Sequence, residues 1–290
     1  MQDKHRIQAD LDWLINSPDF LSVASVNELH SGNLLNANQL LVNVVGESDS
    51  FRFEPTHRLG VYFEQLWHHL IRSNPSYELI RSNQQVIINK QTLGEFDSII
   101  ESHHAKETVH CELAVKFYLQ IGSGEEMANW VGPNLRDRFD RKFKRLLSHQ
   151  LALSSKVEVK AWLEQQQLVI DQSALLTRGR LFYAIQNFLN QTYTHPAEVA
   201  TDHLKGFWAT HEEFNSYREQ NNFEWYQLPR MYWLSELTEN DYPEVKKLGR
   251  LNQEQLATIV GMQNGKEVVR GFVVTDEWLQ RARQRVLTLD

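Results

Sequence analysis

Two acidic residues stand inside otherwise apolar segments of this 290-residue chain. Asp97 lies in LGEFDSIIES and Glu112 in HCELAVKFYL, and both segments are predicted to be strands. A carboxylate is costly to bury unless it is paired or binds a cation. Carboxylates on consecutive strands with a short connection can lie side by side, and their hard oxygens suit Mg²⁺ or Mn²⁺. The sequence therefore predicts a divalent-metal site.

Two further residues are candidates for the same chemistry. Glu64 lies inside a predicted helix, in VYFEQLWHHL, where a solvated surface position is the alternative. Lys116 follows Glu112 by four residues and shares its strand face, because side chains alternate with a period of two. An ammonium beside a metal could orient water or stabilise developing phosphate charge. A buried ion pair of Glu112 with Lys116 or His110 would explain these charges without catalysis.

A basic segment, RDRFDRKFKRLLSHQ, follows the third predicted strand. Six cations stand against the two acids Asp137 and Asp140, a local balance of +4 in a chain of net charge −7. The cations are Arg136, Arg138, Arg141, Lys142, Lys144 and Arg145. Because phosphate contacts need local positive charge, we expect this segment to bind a nucleic-acid backbone beside the metal. A solvated helix face carrying Asp–Arg pairs is the alternative.

Side-chain periodicity predicts the elements that would position these residues. Apolar residues at helical spacing predict helices over residues 5–44, 56–72, 136–154 and 157–167. Alternating apolar residues predict a meander of three strands, over residues 77–88, 92–102 and 107–121. A short apolar run over 180–185 could form a fourth strand. Towards the C-terminus, residues 231–237 and 268–275 are predicted to be extended and residues 276–286 helical.

The order helix, three strands, helix, strand resembles the PD-(D/E)XK nuclease-like superfamily. The resemblance matches Asp97 and Glu112 to its two metal-binding acids and Glu64 to the acid of its first helix. It implies Mg²⁺ (or Mn²⁺) and hydrolysis of phosphodiester bonds in DNA or RNA, with Lys116 orienting the water. The superfamily usually separates its Glu and Lys by two residues, whereas here position 114 is Ala and Lys116 lies about 13 Å along the strand.

Two other kinds of protein are compatible with the same residues. The first is a nuclease-fold module that binds nucleic acid or a protein partner without turnover, and the Glu–Lys spacing supports it. The second is a purely structural protein. It predicts that the carboxylates of Asp97 and Glu112 lie more than about 8 Å apart, too far to share one ion.

Four segments, RLGVYFEQLW, TLGEFD, HCELAVKFYL and WVGPNLRDRFDRK, also resemble an uncharacterised bacterial family known as domain of unknown function 1853. Together the resemblances imply an α/β protein with a restriction-endonuclease-like core over residues 51–190. A helical N-terminal extension over 1–50 would precede this core, and a mixed α/β region over 191–290 would follow it. Clustered Trp and Tyr residues of the last region are predicted to form its hydrophobic core.

Composition sets the remaining limits. The single cysteine, Cys111, excludes an internal disulfide framework and fits a reducing compartment. No segment approaches the roughly 20 apolar residues of a membrane helix, and the acidic N-terminus does not resemble a signal peptide. We therefore expect a soluble cytoplasmic protein. Gly-rich phosphate-loop motifs are absent, so no nucleotide cofactor is expected. The pairs His68-His69 and His103-His104 are predicted to lie at the surface, and the oligomeric state stays open.

Overall fold

A computed structural model describes residues 4–30, 34–42, 44–249, 251 and 254–288. Over these residues the protein is mixed α/β. The α-helices are α1 (Lys4–Asn16), α2 (Val23–Leu29), α3 (Leu59–Ser73), α4 (Phe139–Arg145), α5 (Val157–Gln165), α6 (Ile185–Leu189), α7 (His211–Glu219) and α8 (Asp276–Leu287). The strands are β1 (Leu34–Asn36), β2 (Tyr77–Ile88), β3 (Gln91–Ser102), β4 (Thr108–Gln120), β5 (Trp130–Val131), β6 (Gln172–Ala184), β7 (Leu204–Thr210), β8 (Glu224–Gln227), β9 (Lys246–Lys247), β10 (Ala257–Gln263) and β11 (Lys266–Val274).

The chain divides into two compact units. The described residues of the first unit lie within 11–115 and 142–178. Those of the second unit lie within 2–10, 116–141 and 179–290. Strands β4 and β6 therefore contribute residues to both units, since each strand crosses a boundary.

The first unit contains the predicted meander. β2 pairs antiparallel with β3 along its length, and β3 pairs antiparallel with β4 from Glu101↔Thr108 to Ser98↔Cys111. All three strands begin and end within one residue of their predicted bounds, so this prediction is confirmed. The first part of β6 pairs in parallel with β1. β6 confirms the predicted fourth strand but begins eight residues earlier than residue 180, at Gln172.

Strand β2 lies at the end of the strand order, and its pairing with β3 is irregular. The register shifts between Leu79 and Arg81 and again between Val86 and Ile87. Between these shifts Asn83 has φ of 49°, in the left-handed region that asparagine adopts more readily than most residues. Register shifts of this kind bend a strand and increase its twist, so β2 is not a flat ribbon.

Helix α3 buries the apolar stripe that its sequence predicts. The stripe residues Leu59, Phe63, Leu66 and Leu70 are all buried. Their spacing of four, three and four residues places them on one helical face. Trp67 is also buried, and its Nε1 donates a hydrogen bond to Ser98 Oγ on β3 at 3.0 Å. The helix begins at Leu59, three residues after the predicted start.

Two predicted helices are shorter than expected. The interpretation of residues 5–44 as helical is wrong, because α1, α2, β1 and a 3₁₀ turn (Ala37–Leu41) divide the span; residues 31–33 and 43 lie outside the described residues. Pro18 follows the end of α1 and lacks the N–H that a continuing helix needs. The predicted helix over 136–154 is α-helical only in α4, which continues into a π-helical turn over Leu146–Leu151 and a 3₁₀ turn over Leu153–Ser155.

The second unit is built on the strand order β6-β7-β11-β10-β8-β9. β7 is parallel to both β6 and β11, whereas β10 is antiparallel to β11 and β8. Aromatic residues fill its core as predicted, and those buried include Phe207, Trp208, Trp225, Tyr226 and Tyr232. Helix α8 and strand β11 confirm the predictions for residues 276–286 and 268–275. None of the helices described for this chain is long and apolar enough to cross a membrane.

Gly179 in β6 is a position that requires glycine. Its φ is +150°, and a Cβ atom placed there would lie 1.8 Å from the carbonyl oxygen of Lys116. A contact that short is impossible between backbone and side chain, so any other residue would displace one of these strand segments. The close approach therefore fixes how the second-unit residues of β4 and β6 lie against each other.

Candidate functional site

Asp97 and Glu112 meet where the β3–β4 ladder ends. The last paired residues are Ser98 and Cys111, so the two acids occupy the next opposed positions. Here a side chain replaces the backbone ladder, because Asp97 Oδ2 accepts a hydrogen bond from the Leu113 N–H at 2.8 Å. The carboxyl groups of Asp97 and Glu112 share a hydrogen bond. The separation that a purely structural protein predicts is therefore not observed.

Two carboxyl groups in hydrogen-bond contact cannot both carry a charge without a large cost. Burial raises the pKa of Asp97 well above its usual value, and the charge of Glu112 raises it further. The hydrogen bond from Leu113 acts in the opposite direction but is outweighed. Glu112 is fully buried. The pair therefore titrates as a unit and favours a state that keeps one proton, unless a cation balances the second charge.

Glu112 has two further polar neighbours. Gln150, in the π-helical turn, donates from Nε2 to Glu112 Oε1. His110 Nε2 lies 3.6 Å from Glu112 Oε2. The imidazole packs against the Phe96 ring in a T-shaped arrangement, with 4.7 Å between the ring centroids. Burial lowers the pKa of His110 to about 4, so the imidazole is neutral at physiological pH. His110 therefore lies close enough to Glu112 for the ion pair considered as an alternative, but it lacks the positive charge that an ion pair requires.

His68 supports the backbone of β3 at this site. Its Nε2 contacts the carbonyl oxygen of Asp97 at 3.0 Å. Burial lowers the pKa of His68 to about 4, with the charge of Arg72 adding to the effect. The prediction that His68 lies at the surface is wrong, because the residue falls on the buried face of α3. His103 and His104 are exposed, as predicted.

Glu64 lines an open groove of about 840 Å³ in the first unit. Asn83 Nδ2 donates to Glu64 Oε2 at 2.7 Å. Glu95 lines the same groove and accepts a hydrogen bond from Gln85 at 3.2 Å. Asp97 and Glu112 are not among the residues that line this groove. The structure thus brings the two strand acids together, whereas Glu64 lines a groove that it shares with Glu95.

The donor set at the carboxylate pair suits a hard cation. Among the described residues, no group of three or more His, Cys, Asp or Glu side chains could hold one metal ion. Mg²⁺, however, keeps several waters and is usually bound by one or two carboxylates. Asp97 and Glu112 supply those carboxylates, and the Gln150 amide adjoins Glu112. The residues present therefore fit Mg²⁺ or Mn²⁺ without a nitrogen or sulfur ligand.

Lys116 lies four residues after Glu112 on β4 and belongs to the second unit. Its carbonyl oxygen is the atom that the missing Cβ of Gly179 would meet. At about 3.3 Å per strand residue, its Cα is about 13 Å along β4 from that of Glu112.

The basic segment does not form one uniform surface. Arg138 is buried, and its guanidinium donates to both carboxylate oxygens of Asp140 at 2.7 and 2.9 Å. It also donates to the carbonyl oxygens of Arg285 and Thr288, at 3.2 and 2.6 Å. These bonds cap the C-terminal end of α8. The other cations are exposed (Arg136, Lys144 and Arg145) or partly buried (Arg141 and Lys142).

Residues 9–286 match the family model described as Domain of unknown function (DUF1853). The chain belongs to this family. The match confirms the resemblance seen in the four sequence segments, and it covers Asp97, Glu112 and Gln150. No curated protein and no solved structure matches the chain. The family description names no activity.

Sequence reasoning did not find Gln150. The residue lies in the segment LLSHQL, which reads as an ordinary amphipathic helix. Its contact with Glu112 depends on the π-helical turn, and local sequence carries no reliable signal for such a turn. His68 was missed for a simpler reason. A histidine is found both inside and outside proteins, so its burial on α3 could be read only from its helical position beside Trp67.

Proposed function

We propose that this protein is a metal-dependent phosphodiesterase that acts on DNA or RNA, with Asp97 and Glu112 binding Mg²⁺ or Mn²⁺. One observation carries the proposal: the carboxyl groups of two consecutive strands share a hydrogen bond at a buried position. Burying two acids against each other is unfavourable, and a divalent cation removes that cost. The same two positions are those that a PD-(D/E)XK nuclease-like core would use.

A bound cation would polarise a phosphate oxygen and lower the pKa of a bound water. The chain's own residues would prepare the site for it. The Leu113 N–H holds one oxygen of Asp97, and Gln150 contacts one oxygen of Glu112. Neutral His110 leaves the charge of Glu112 available, because it forms no full ion pair with it. These contacts fix both carboxylates before any cation binds, which is the preorganisation that catalysis needs.

Other residues have secondary roles in this proposal. Lys116 would orient the attacking water, and Glu64 would assist through water. In the second unit, the exposed Arg136 and the partly buried Arg141 would contact phosphate. In the first unit, the exposed Lys144 and Arg145 and the partly buried Lys142 would do so. Arg138 is the exception among the six, because its guanidinium already holds Asp140 and the end of α8. We therefore expect Arg138 to contribute to folding instead of nucleic-acid binding.

The test is cleavage of single- and double-stranded DNA and RNA with Mg²⁺ or Mn²⁺. Asp97→Ala and Glu112→Ala should each lower the rate by roughly 100-fold or more, the scale expected when a transition-state contact is removed. Glu101→Ala is the matched control, an acid on the same strand as Asp97, and should cleave normally. Absence of cleavage by the wild-type protein, together with absence of Mn²⁺ binding by calorimetry, would overturn the proposal.

A second candidate is a nuclease-fold module that binds nucleic acid without cleaving it. The four-residue spacing of Glu112 and Lys116 favours it, because the usual position of the water-orienting Lys is occupied by Ala114. This candidate predicts nucleic-acid binding in a gel-shift assay with no cleavage under any metal condition. It also predicts that Lys144→Glu with Arg145→Glu abolishes the shift, whereas Asp97→Ala does not.

A further inference from the structure

Gln150 lies in an unusual piece of backbone. Residues Leu146–Leu151 form a π-helical turn directly after α4. A π turn inserts one residue into the helical register and is rare, and such turns are found frequently at functional sites. Both end residues of the turn, Leu146 and Leu151, are buried and anchor it, while Gln150 is partly buried. The turn therefore sets the direction of the Gln150 side chain.

That direction is towards the carboxylate pair. Gln150 Nε2 donates to Glu112 Oε1. A primary amide carries a donor group and an acceptor oxygen on the same planar head. A half-turn of the Gln150 amide group would direct its Oε1, instead of its NH₂ group, towards the carboxylates of Asp97 and Glu112. An amide oxygen is an ordinary ligand of hard divalent cations.

A second observation points to a missing occupant at the same place. His110 is fully buried, and neither of its ring nitrogens has a hydrogen-bond partner among the described residues. Its Nε2 faces Glu112 Oε2 at 3.6 Å. Buried polar groups are almost always hydrogen-bonded, by protein or by ordered water. A water bound to a cation would meet this need.

We propose that Gln150 is the third protein ligand of the cation at Asp97 and Glu112, through its amide oxygen. The inference rests on the proposed function. Without the cation, the amide NH₂ group satisfies Glu112. With the cation, the amide turns, both carboxylates are ionised, and the cation's water donates to His110. The class of ligand is a hard divalent cation such as Mg²⁺ or Mn²⁺, bound by three oxygens of the chain and water.

Mn²⁺ affinity of the full chain, measured by calorimetry and by the electron paramagnetic resonance of bound Mn²⁺, tests the proposal. Gln150→Leu should weaken binding about 10–100-fold, the usual effect of losing a group that supports a metal site. Gln150→Glu should bind Mn²⁺ at least as tightly as the wild type, because it keeps an oxygen at the same reach and adds a charge. His149→Ala, an exposed neighbour in the same turn, is the control and should leave the affinity unchanged.

The pair of Gln150 variants separates a ligand from a residue that only positions Glu112. A positioning role through the NH₂ group predicts that Gln150→Glu weakens Mn²⁺ binding as much as Gln150→Leu, because a carboxylate cannot donate to Glu112. That result, or unchanged affinity in Gln150→Leu, would overturn this inference alone. Failure of the wild-type chain to bind Mn²⁺ would overturn the proposed function as well. Melting curves of each variant establish that a loss of affinity does not come from a loss of folding.

Discussion

Each unit buries an acid in a strand, and the two acids are balanced in opposite ways. In the second unit, Glu267 lies 2.7 Å from Arg270, and its Oε2 also accepts the Leu237 N–H at 2.7 Å. In the first unit, Asp97 likewise accepts a backbone N–H, but its neighbour is another acid, Glu112. Burial opposes ionisation of both. The Arg270 guanidinium outweighs burial and lowers the pKa of Glu267, whereas Glu112 reinforces burial and raises the pKa of Asp97.

The difference shows that an acid in an apolar strand has no fixed meaning. Glu267 and Arg270 form a complete ion pair. The two charges balance each other and both carboxylate oxygens are hydrogen-bonded, so the pair requires no proton or ion from solution. The carboxylate pair of Asp97 and Glu112 is incomplete, because it must take up either a proton or a cation. Of the two arrangements, only the carboxylate pair of Asp97 and Glu112 has a reason to bind a metal ion.

The largest effect should come from breaking the complete pair. Arg270→Met removes the main counter-charge of the buried Glu267 and leaves only the weaker influence of Arg180, so we expect the free energy of unfolding to fall by about 3–5 kcal/mol. Urea unfolding followed by Trp fluorescence measures it. The double variant Arg270→Met with Glu267→Leu should recover part of the loss, since it removes the stranded charge. A loss below about 1 kcal/mol in the single variant would contradict this view of the pair.

The next effect extends the comparison from acids to histidines. Both ring nitrogens of His203 are bonded, to Tyr183 Oη at 2.8 Å and Ala200 O at 2.6 Å, and burial lowers its pKa to about 3. Between pH ~6.5 and the pKa of His203 in the folded protein, this histidine is protonated in the unfolded chain but neutral in the native chain. Stability should therefore fall as pH drops below ~6.5, by up to about 1.4 kcal/mol per pH unit from this residue.

Urea unfolding at pH 7 and pH 5 tests the histidine prediction. His203→Gln lacks the titration, so it should lose stability at pH 7 through the changed hydrogen bonds but show a smaller drop between the two pH values. His195→Gln, whose ring lies 4.7 Å from that of His203, is the matched control. An equal pH dependence in wild type and His203→Gln would contradict the assignment.

A smaller effect of opposite sign should come from the incomplete pair. Asp97→Asn removes the need to keep a proton on the carboxylate pair and retains an oxygen for the Leu113 N–H, so the free energy of unfolding should rise by about 1 kcal/mol. Glu267→Gln, the same isosteric change at the complete pair, should lower it. Thermal and urea unfolding without metal measure both. If both variants are destabilised alike, the two acids are not balanced in opposite ways.

The smallest effect should come from an exposed pair. Lys247 and Glu224 are in contact at 3.1 Å, like the buried pair, but both side chains are more than half exposed. Lys247→Ala should leave the free energy of unfolding nearly unchanged in urea unfolding, and high salt should remove any difference. A larger loss would mean that contact distance, instead of burial, sets the strength of these pairs.

The sequence predicts the parts of this protein that depend on local patterns. Alternation predicts the meander because successive side chains of a strand point to opposite faces, and the pairing of the strands places Asp97 opposite Glu112. The extended prediction for residues 231–237 is wrong, because long-range contacts decide that segment. Its carbonyl oxygens at 232 and 235 accept hydrogen bonds from two distant guanidiniums, Arg6 and Arg270. No local pattern encodes these bonds.

The site was predicted in part for the same reason. Asp97 and Glu112 are visible in the sequence, because an acid among apolar strand residues is unusual. Gln150 is not visible, because its contact needs both the π-helical turn and the meander to be in place. Tertiary structure likewise decides whether a buried acid lies beside a guanidinium or beside another acid. Glu112 and Glu267 look alike in the sequence and differ only once the chain has folded.

The irregular strand β2 has a consequence for how this protein behaves at high concentration. A long open strand edge is a template on which another chain can add, and aggregation-prone segments need six or seven regular residues. The two register shifts leave a regular stretch only from Arg81 to Val86, and the left-handed Asn83 interrupts it. The twelve-residue edge therefore offers no uninterrupted surface for fibril growth.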